Sequence, residues 1–172
     1  IIYANPARSV QAPKESVRRG KTPVLFTEDL QALFGSLQPS TVVDLRDRAL
    51  LGAMFYSFAR VGALMKMNVR HYRSGQRAFF ELAEKGGKWA RIPAHHQAAE
   101  WMRAYIEAAE IGEQPDAPLW RSARGRSGEL TANRLLSRDA LRIVKRRCVA
   151  AGLDADISNH SLRAAGITSY LE

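Results

Sequence analysis

Apolar residues recur at helical spacing along most of the chain, and this pattern predicts a largely helical protein. In the first such stretch, Leu30, Leu33, Phe34 and Leu37 fall on one face of a helix that Thr27 is expected to cap. The second stretch is apolar nearly all round, which is typical of a helix in the centre of a domain. The predicted helices cover residues 27–36, 42–59, 63–67, 95–109 and 137–151, and a last helix begins near residue 160.

One segment changes from helical to strand character and predicts a β-hairpin. Between residues 77 and 93, strand-forming residues lie on both sides of a Gly86-Gly87 turn, and Pro93 ends the pairing. Residues 112–129 are predicted to form a long loop. The expected fold class is therefore mainly α with one small antiparallel β-sheet, an α+β fold.

The sequence predicts one domain preceded by a basic linker. Residues 1–23 are polar and carry the turn or extended signals Asn5-Pro6 and Ala12-Pro13, which predicts an interdomain linker. Residues 24–172 are predicted to form a single domain. Of the 172 residues, 46% are hydrophobic, which is enough for a real core and argues against disorder.

Cysteine content and hydropathy exclude several classes of protein. The single cysteine, Cys148, allows no internal disulfide and disfavours a cysteine-based metal site. No segment approaches the roughly 20 consecutive apolar residues of a membrane helix, and no signal peptide is visible. No P-loop or dinucleotide-binding glycine turn is present. We therefore expect no metal, no cofactor and no membrane contact, and a cytoplasmic location.

The net charge points to a polyanionic partner. The formal charge is +9 and the isoelectric point is about 10.2, and cations that neutralise phosphates release counterions on binding. The alternative is a merely soluble basic protein. The cations cluster, however, which favours binding. One group (Arg121, Arg124 and Arg126) lies in the predicted loop, and another (Arg138, Arg142, Lys145, Arg146 and Arg147) lies on the predicted helix 137–151.

Three short segments carry candidate chemistry. His160-Ser161-Leu162-Arg163 places an imidazole and a guanidinium one turn apart on a helix, where they could move a proton and grip a phosphate. Arg60 ends the long apolar helix, so it must either face a cleft or form a structural ion pair. Lys85 and Lys88 flank the hairpin turn, where solvated lysines are also common. Each segment alone has such an ordinary explanation.

In this order and spacing, the three segments resemble the catalytic domain of the tyrosine recombinases, the family of phage integrases and Xer-type resolvases. The resemblance implies that Arg60 and Arg163 clamp the scissile phosphate, Lys85 is the general acid and His160 assists proton transfer. Lys88 is then expected to contact the DNA backbone, and we add Arg91 to the predicted DNA contacts. The others are Arg121, Arg124, Arg126, Arg138 and Arg142.

The family resemblance also implies DNA cleavage and rejoining through a 3′-phosphotyrosyl link, without metal or cofactor, by a homotetramer on paired duplex sites. Two positions depart from the usual pattern. Ala63 stands where an acid usually follows the first arginine, and Ala164 stands where a histidine often follows the second.

The expected nucleophile has no clear counterpart. In the family it is a tyrosine well downstream of the His-x-x-Arg box, whereas Tyr170 lies only roughly 10 Å further along the same helix. We therefore expect a domain that is C-terminally incomplete and inactive alone. The alternatives are a non-catalytic helical DNA-binding module, such as a decayed integrase, and a basic RNA-binding domain, which the lack of an aromatic sheet motif disfavours.

Overall fold

A computed structural model describes residues 23, 25–83 and 87–171 of the chain. It confirms the mainly helical α+β class. The helices are α1 (Thr27–Ser36), α2 (Val42–Ser57), α3 (Val61–Met65), α4 (His96–Ala108), α5 (Ser137–Ala150) and α6 (Asn159–Leu171). The strands are β1 (Tyr72–Arg73), β2 (Phe79–Ala83), β3 (Trp89–Pro93), β4 (Arg121–Ala123) and β5 (Leu130–Arg134).

Helix α2 is the centre of the domain, as its apolar sequence predicts. Leu50, Leu51 and Ala53 are fully buried, and α2 packs against α4 on one side and α6 on another. Two glycines allow these close approaches. A Cβ on Gly52 would lie 2.6 Å from the Trp101 ring of α4, and a Cβ on Gly166 of α6 would lie 2.2 Å from the Phe55 carbonyl oxygen.

The predicted hairpin exists and belongs to a three-stranded antiparallel sheet. Strand β2 pairs with β3 in the register Leu82 to Ala90 and Phe80 to Ile92, and β1 adds to the other edge of β2. Phe80 and Leu82 are buried beneath the sheet. The turn residues 84–86 lie outside the described residues.

The prediction of a single sheet is wrong. Strands β4 and β5 form a second antiparallel ladder with a register shift between Arg121 and Ala123. The sequence gives little signal there because the ladder is short and partly polar. The Ser122 and Thr131 hydroxyls hydrogen-bond across it at 2.6 Å.

Two predicted helix boundaries also differ. Thr27 is the first residue of α1 rather than its cap, and the Asp29 carboxylate accepts a hydrogen bond from the Phe26 backbone N–H at 2.9 Å. Helix α2 ends at Ser57 because Phe58 adopts a left-handed conformation with φ of 52°. Among the helices of the described residues, none combines the length and apolar content needed to cross a lipid bilayer.

Candidate active site

A cleft of about 730 Å³ brings together three of the four predicted catalytic side chains. Arg60 comes from the start of α3, and His160 and Arg163 come from the N-terminal part of α6. The apolar side chains of Leu82 and Ile92 from the three-stranded sheet contribute part of the wall. Arg60, His160 and Arg163 therefore line one cleft, while their catalytic roles stay a prediction.

The end of α2 determines where Arg60 lies. The Ser57 hydroxyl donates to the Ala53 carbonyl oxygen and accepts from the Ala59 backbone N–H at 3.2 Å, so the chain leaves the helix over two residues. Arg60 then has extended backbone angles and caps α3. Its side chain is exposed at the cleft instead of being buried in the core.

The N-terminal part of α6 separates buried side chains from those that line the cleft. Ser161 and Leu162 are fully buried, and the Ser158 backbone N–H donates to the Ser161 hydroxyl at 3.1 Å. His160 and Arg163, three residues apart, share the opposite face and line the cleft. The tight packing of Gly166 on α2 fixes this helix in place.

The cleft is strongly positive. Its described lining residues include no carboxylate, and within the described residues neither Arg60 nor Arg163 forms an ion pair. The backbone N–H groups at the start of α6 add partial positive charge at the same place. Such an arrangement suits a bound phosphate.

The fourth predicted catalytic residue, Lys85, lies outside the described residues. Its neighbour Lys88 is exposed just before β3. Arg91 lies on the sheet face opposite to Ile92, because successive side chains of a strand alternate. There it contacts Glu81 at 3.1 Å and lies 4.3 Å from the centre of the Phe79 ring.

The other predicted DNA contacts lie outside the cleft lining. Arg121 is half-buried in β4, where it donates to Gln114 at 2.6 Å and its carbonyl oxygen accepts from Arg46 at 2.8 Å. Arg124 and Arg126 are exposed in the turn between β4 and β5. Two exposed arginines of α5 complete this group, Arg138 and Arg142.

The arginines that follow on α5 serve a structural purpose that the sequence pattern does not reveal. Arg146 and Arg147 donate to the fully buried Asp47 of α2 at 2.7 and 2.9 Å. Arg147 also pairs with Asp44, and Arg46 contacts Asp47 from within α2. These ion pairs hold α5 against α2. Clustered charge in the sequence therefore does not by itself identify a DNA-binding surface here.

Two cleft residues are absent from the sequence predictions. Lys66, the C-terminal cap of α3, lines the cleft with its side chain exposed. Asn159 lines it beside His160, and its side-chain oxygen is buried with no hydrogen-bond partner among the described residues. The sequence offers little signal for Lys66, because a helix of five residues is too short to show an amphipathic pattern.

Tyr170 does not line the cleft. It is 78% exposed and packs edge-on against Phe58 with ring centres 5.8 Å apart. It lines a neighbouring, mostly apolar groove of about 600 Å³ with Pro93 and His95, and this groove shares Phe58 and Ile92 with the cleft. Burial, together with the neighbouring His96, lowers the pKa of His95.

In the described part of the chain, no three His, Cys, Asp or Glu side chains gather as a metal site would require.

Comparison with known proteins identifies the class that this fold and cleft define. The model of the phage integrase family matches residues 23–172. Tyrosine recombinase XerC 1 of Ralstonia nicotianae is 32% identical over 99% of this chain and 54% of its own length. The chain therefore belongs to the phage integrase family, and it spans about half the length of the curated relatives it matches.

Solved structures agree on the fold. The crystal structure of XerA recombinase matches with a TM-score of 0.71 at 20% identity, over 87% of this chain and 51% of that one. XerH site-specific recombinase, bound to palindromic difH substrate in a post-cleavage complex, matches with a TM-score of 0.70 at 16% identity, over 98% of this chain and 47% of that one. The fold is that of a tyrosine recombinase catalytic domain.

Proposed function

We propose that residues 24–172 form the catalytic domain of a tyrosine-type site-specific recombinase, which cuts and rejoins duplex DNA. The observation that carries the proposal is the convergence of Arg60, His160 and Arg163 on one cleft without a neutralising carboxylate among its described lining residues. Family membership and the DNA-bound relative support it. The predicted linker over residues 1–23 lies almost wholly outside the described residues.

In this proposal the two arginines hold one phosphodiester in the cleft. A tyrosine hydroxyl attacks the phosphorus, the bond to the 5′ oxygen breaks, and a 3′-phosphotyrosyl link and a free 5′ hydroxyl form. Arg60 and Arg163 stabilise the charge that develops on the phosphoryl oxygens, an effect worth ~2.7–4 kcal/mol for one such contact. His160 assists removal of the tyrosine proton, and Lys85 gives a proton to the leaving oxygen.

We do not assign the nucleophile to Tyr170. It lies seven residues beyond Arg163 on the same helix, roughly 10 Å along the axis, and it lines the apolar groove instead of the cleft. An attacking oxygen must come within about 3–3.5 Å of the phosphorus. A rigid α6 does not allow this approach while Arg163 holds the phosphate.

The proposed partner is double-stranded DNA, and the resemblance to the family extends the proposal to a homotetramer on paired sites. Exposed cations outside the cleft are proposed to contact the backbone, namely Lys88, Arg91, Arg124, Arg126, Arg138 and Arg142. Such contacts make affinity fall steeply with salt. We propose that the protein acts in the cytoplasm, where this partner is available.

The test is a covalent-trapping assay. The polypeptide of the whole reading frame that encodes this chain is incubated with nicked duplexes carrying its target site. We expect a protein–DNA adduct on a denaturing gel that disappears in Arg60→Ala and Arg163→Ala and persists in Arg103→Ala. Arg103 is an exposed arginine of α4 that does not line the cleft. An adduct unaffected by the two cleft substitutions contradicts the proposal.

A second candidate function is a DNA-binding module that does not cut. The observation that favours it is that no tyrosine lies among the described residues lining the cleft. This candidate predicts salt-sensitive binding to duplex DNA without any adduct, even for the polypeptide of the whole reading frame. An adduct that Tyr170→Phe abolishes would instead identify Tyr170 as the nucleophile.

A further inference from the structure

We propose that Lys66 binds a second phosphate of the DNA backbone, next to the one held by Arg60 and Arg163. This inference rests on the proposed function and adds a binding residue to its site. Lys66 lines the same cleft as the two arginines, at the far end of α3 from Arg60. Its side chain is exposed and forms no ion pair with any described acid.

The charge of the cleft exceeds what one phosphodiester neutralises. Arg60, Lys66 and Arg163 contribute three positive charges, and no carboxylate of the described lining residues offsets them. At position 63, between the two cations of α3, stands alanine. An acid there would be a neighbour of both, three residues from each, and could pair with either. With Ala63 in place, Lys66 remains available for an anion from solution.

The spacing favours a separate phosphate over a shared one. Arg60 and Lys66 cap the two ends of the five-residue helix α3, so their Cα atoms are separated by roughly 9 Å along its axis. Six residues at about 100° each also turn the two side chains about 120° apart around the axis, so they point in different directions. A polyanion with regularly repeated phosphates can meet both cations at once.

The side-chain chemistry fits a backbone contact. An ammonium group is a point charge on a flexible stem, and it binds a phosphate oxygen without the fixed two-pronged geometry that a guanidinium imposes. Lys66 can therefore follow a phosphate whose position varies with DNA sequence. Leu82 and Ile92 line the same cleft and reduce its hydration, which strengthens charge interactions inside it.

The experiment measures binding of the 172-residue chain to a labelled random-sequence duplex by fluorescence anisotropy at several salt concentrations. Binding to DNA releases counterions, so a plot of the logarithm of the binding constant against the logarithm of the salt concentration is linear. Each neutralised phosphate contributes about −0.9 to its slope. Lys66→Ala should reduce the slope by about one phosphate and weaken binding about eightfold at roughly 0.1 M salt. Lys66→Arg, which keeps the charge, should restore both.

Arg103→Ala removes the same charge outside the cleft and is the control. The inference is overturned if Lys66→Ala and Arg103→Ala change affinity and slope equally, while Arg163→Ala weakens binding more than either. If the unaltered chain shows no salt-dependent binding, the proposed function fails instead. Thermal melting followed by circular dichroism confirms that each variant is folded, and Lys66→Gln replaces Lys66→Ala if the alanine variant melts early.

Discussion

Arginines occupy two opposite environments in this domain. Around the fully buried Asp47, the arginines of α2 and α5 are held by carboxylates, and the ion pairs join the two helices. In the cleft, Arg60 and Arg163 face solvent without an ion-pair partner among the described residues. The first group stabilises the fold, whereas the second is left free for an external anion. Arginine content alone does not distinguish the two, and the position of the nearest acid does.

The largest expected effect comes from removing the shared acid. Asp47→Asn leaves Arg46 and Arg146 without a carboxylate partner and leaves Arg147 with Asp44 alone. Breaking a buried pair in this way typically costs about 3–5 kcal/mol. We expect urea unfolding to show a loss of that size. Asp156, an exposed loop residue, provides the control. Asp156→Asn should change the free energy of unfolding by less than about 0.5 kcal/mol, and equal losses in both variants would contradict the structural assignment.

Replacing one arginine of each environment by alanine tests the comparison directly. Arg163→Ala should weaken duplex DNA binding about 10- to 100-fold, the equivalent of about 1.5–3 kcal/mol for hydrogen bonds to a charged group. Its free energy of unfolding should change by less than about 1 kcal/mol. Arg147→Ala should do the reverse, since it breaks the contacts to Asp44 and Asp47. Anisotropy titrations give the DNA affinity of both variants, and urea unfolding gives their free energies of unfolding. If both variants lose affinity and stability to the same extent, the two environments are not distinct.

The attachment of α6 to α2 can be tested at one glycine. Gly166→Ala places a methyl group against the Phe55 carbonyl oxygen and the Phe58 ring, at 2.2 and 2.9 Å, so α6 must move. We expect a loss of about 1–3 kcal/mol in unfolding free energy and weaker DNA binding, because His160 and Arg163 move with the helix. Gly35→Ala in α1 meets open space and should stabilise the protein by about 0.5–1 kcal/mol.

The smallest effect concerns acid stability of the ion-pair environment. Burial alone would raise the pKa of Asp44, but hydrogen bonds from Arg147, Thr41 and Ser40 outweigh it and hold the pKa well below its usual 3.8. Since the unfolded state binds the proton more tightly, this stabilisation is complete above about pH 4 and is lost as the pH falls towards the folded-state value. Between about pH 6 and pH 3, the free energy of unfolding of the unaltered chain should fall by about 1 kcal/mol more than that of the Asp44→Asn variant. Equal losses in urea unfolding would contradict this assignment.

The sequence was sufficient for the parts of the fold that rest on local patterns. Apolar spacing predicts α2 and α6 within two residues, and the Gly-Gly turn predicts the β2–β3 hairpin. The family resemblance predicts that Arg60, His160 and Arg163 lie at one site, and in the structure all three line the same cleft. These features depend on residues close in sequence or on a recognisable motif.

Other features depend on partners far apart in sequence. The pairing of Arg146 with Asp47 joins residues 99 positions apart, and the helix 137–151 carries no sign of it. Strands β4 and β5 are short and partly polar, so alternation does not reveal them. Lys66 ends a five-residue helix, which is too short for an amphipathic pattern to indicate the side that faces the cleft.

The brevity of α3 has a consequence for gene exchange among such chains. Each residue of a helix turns the next by about 100°, so one insertion or deletion between Phe58 and Lys66 would swing one end of α3 away from the cleft. The turn at residues 124–128 is exposed along most of its length and could accept an added residue. Chimeric genes assembled from different members should therefore place crossover points in that turn and inherit residues 58–66 as an uninterrupted block.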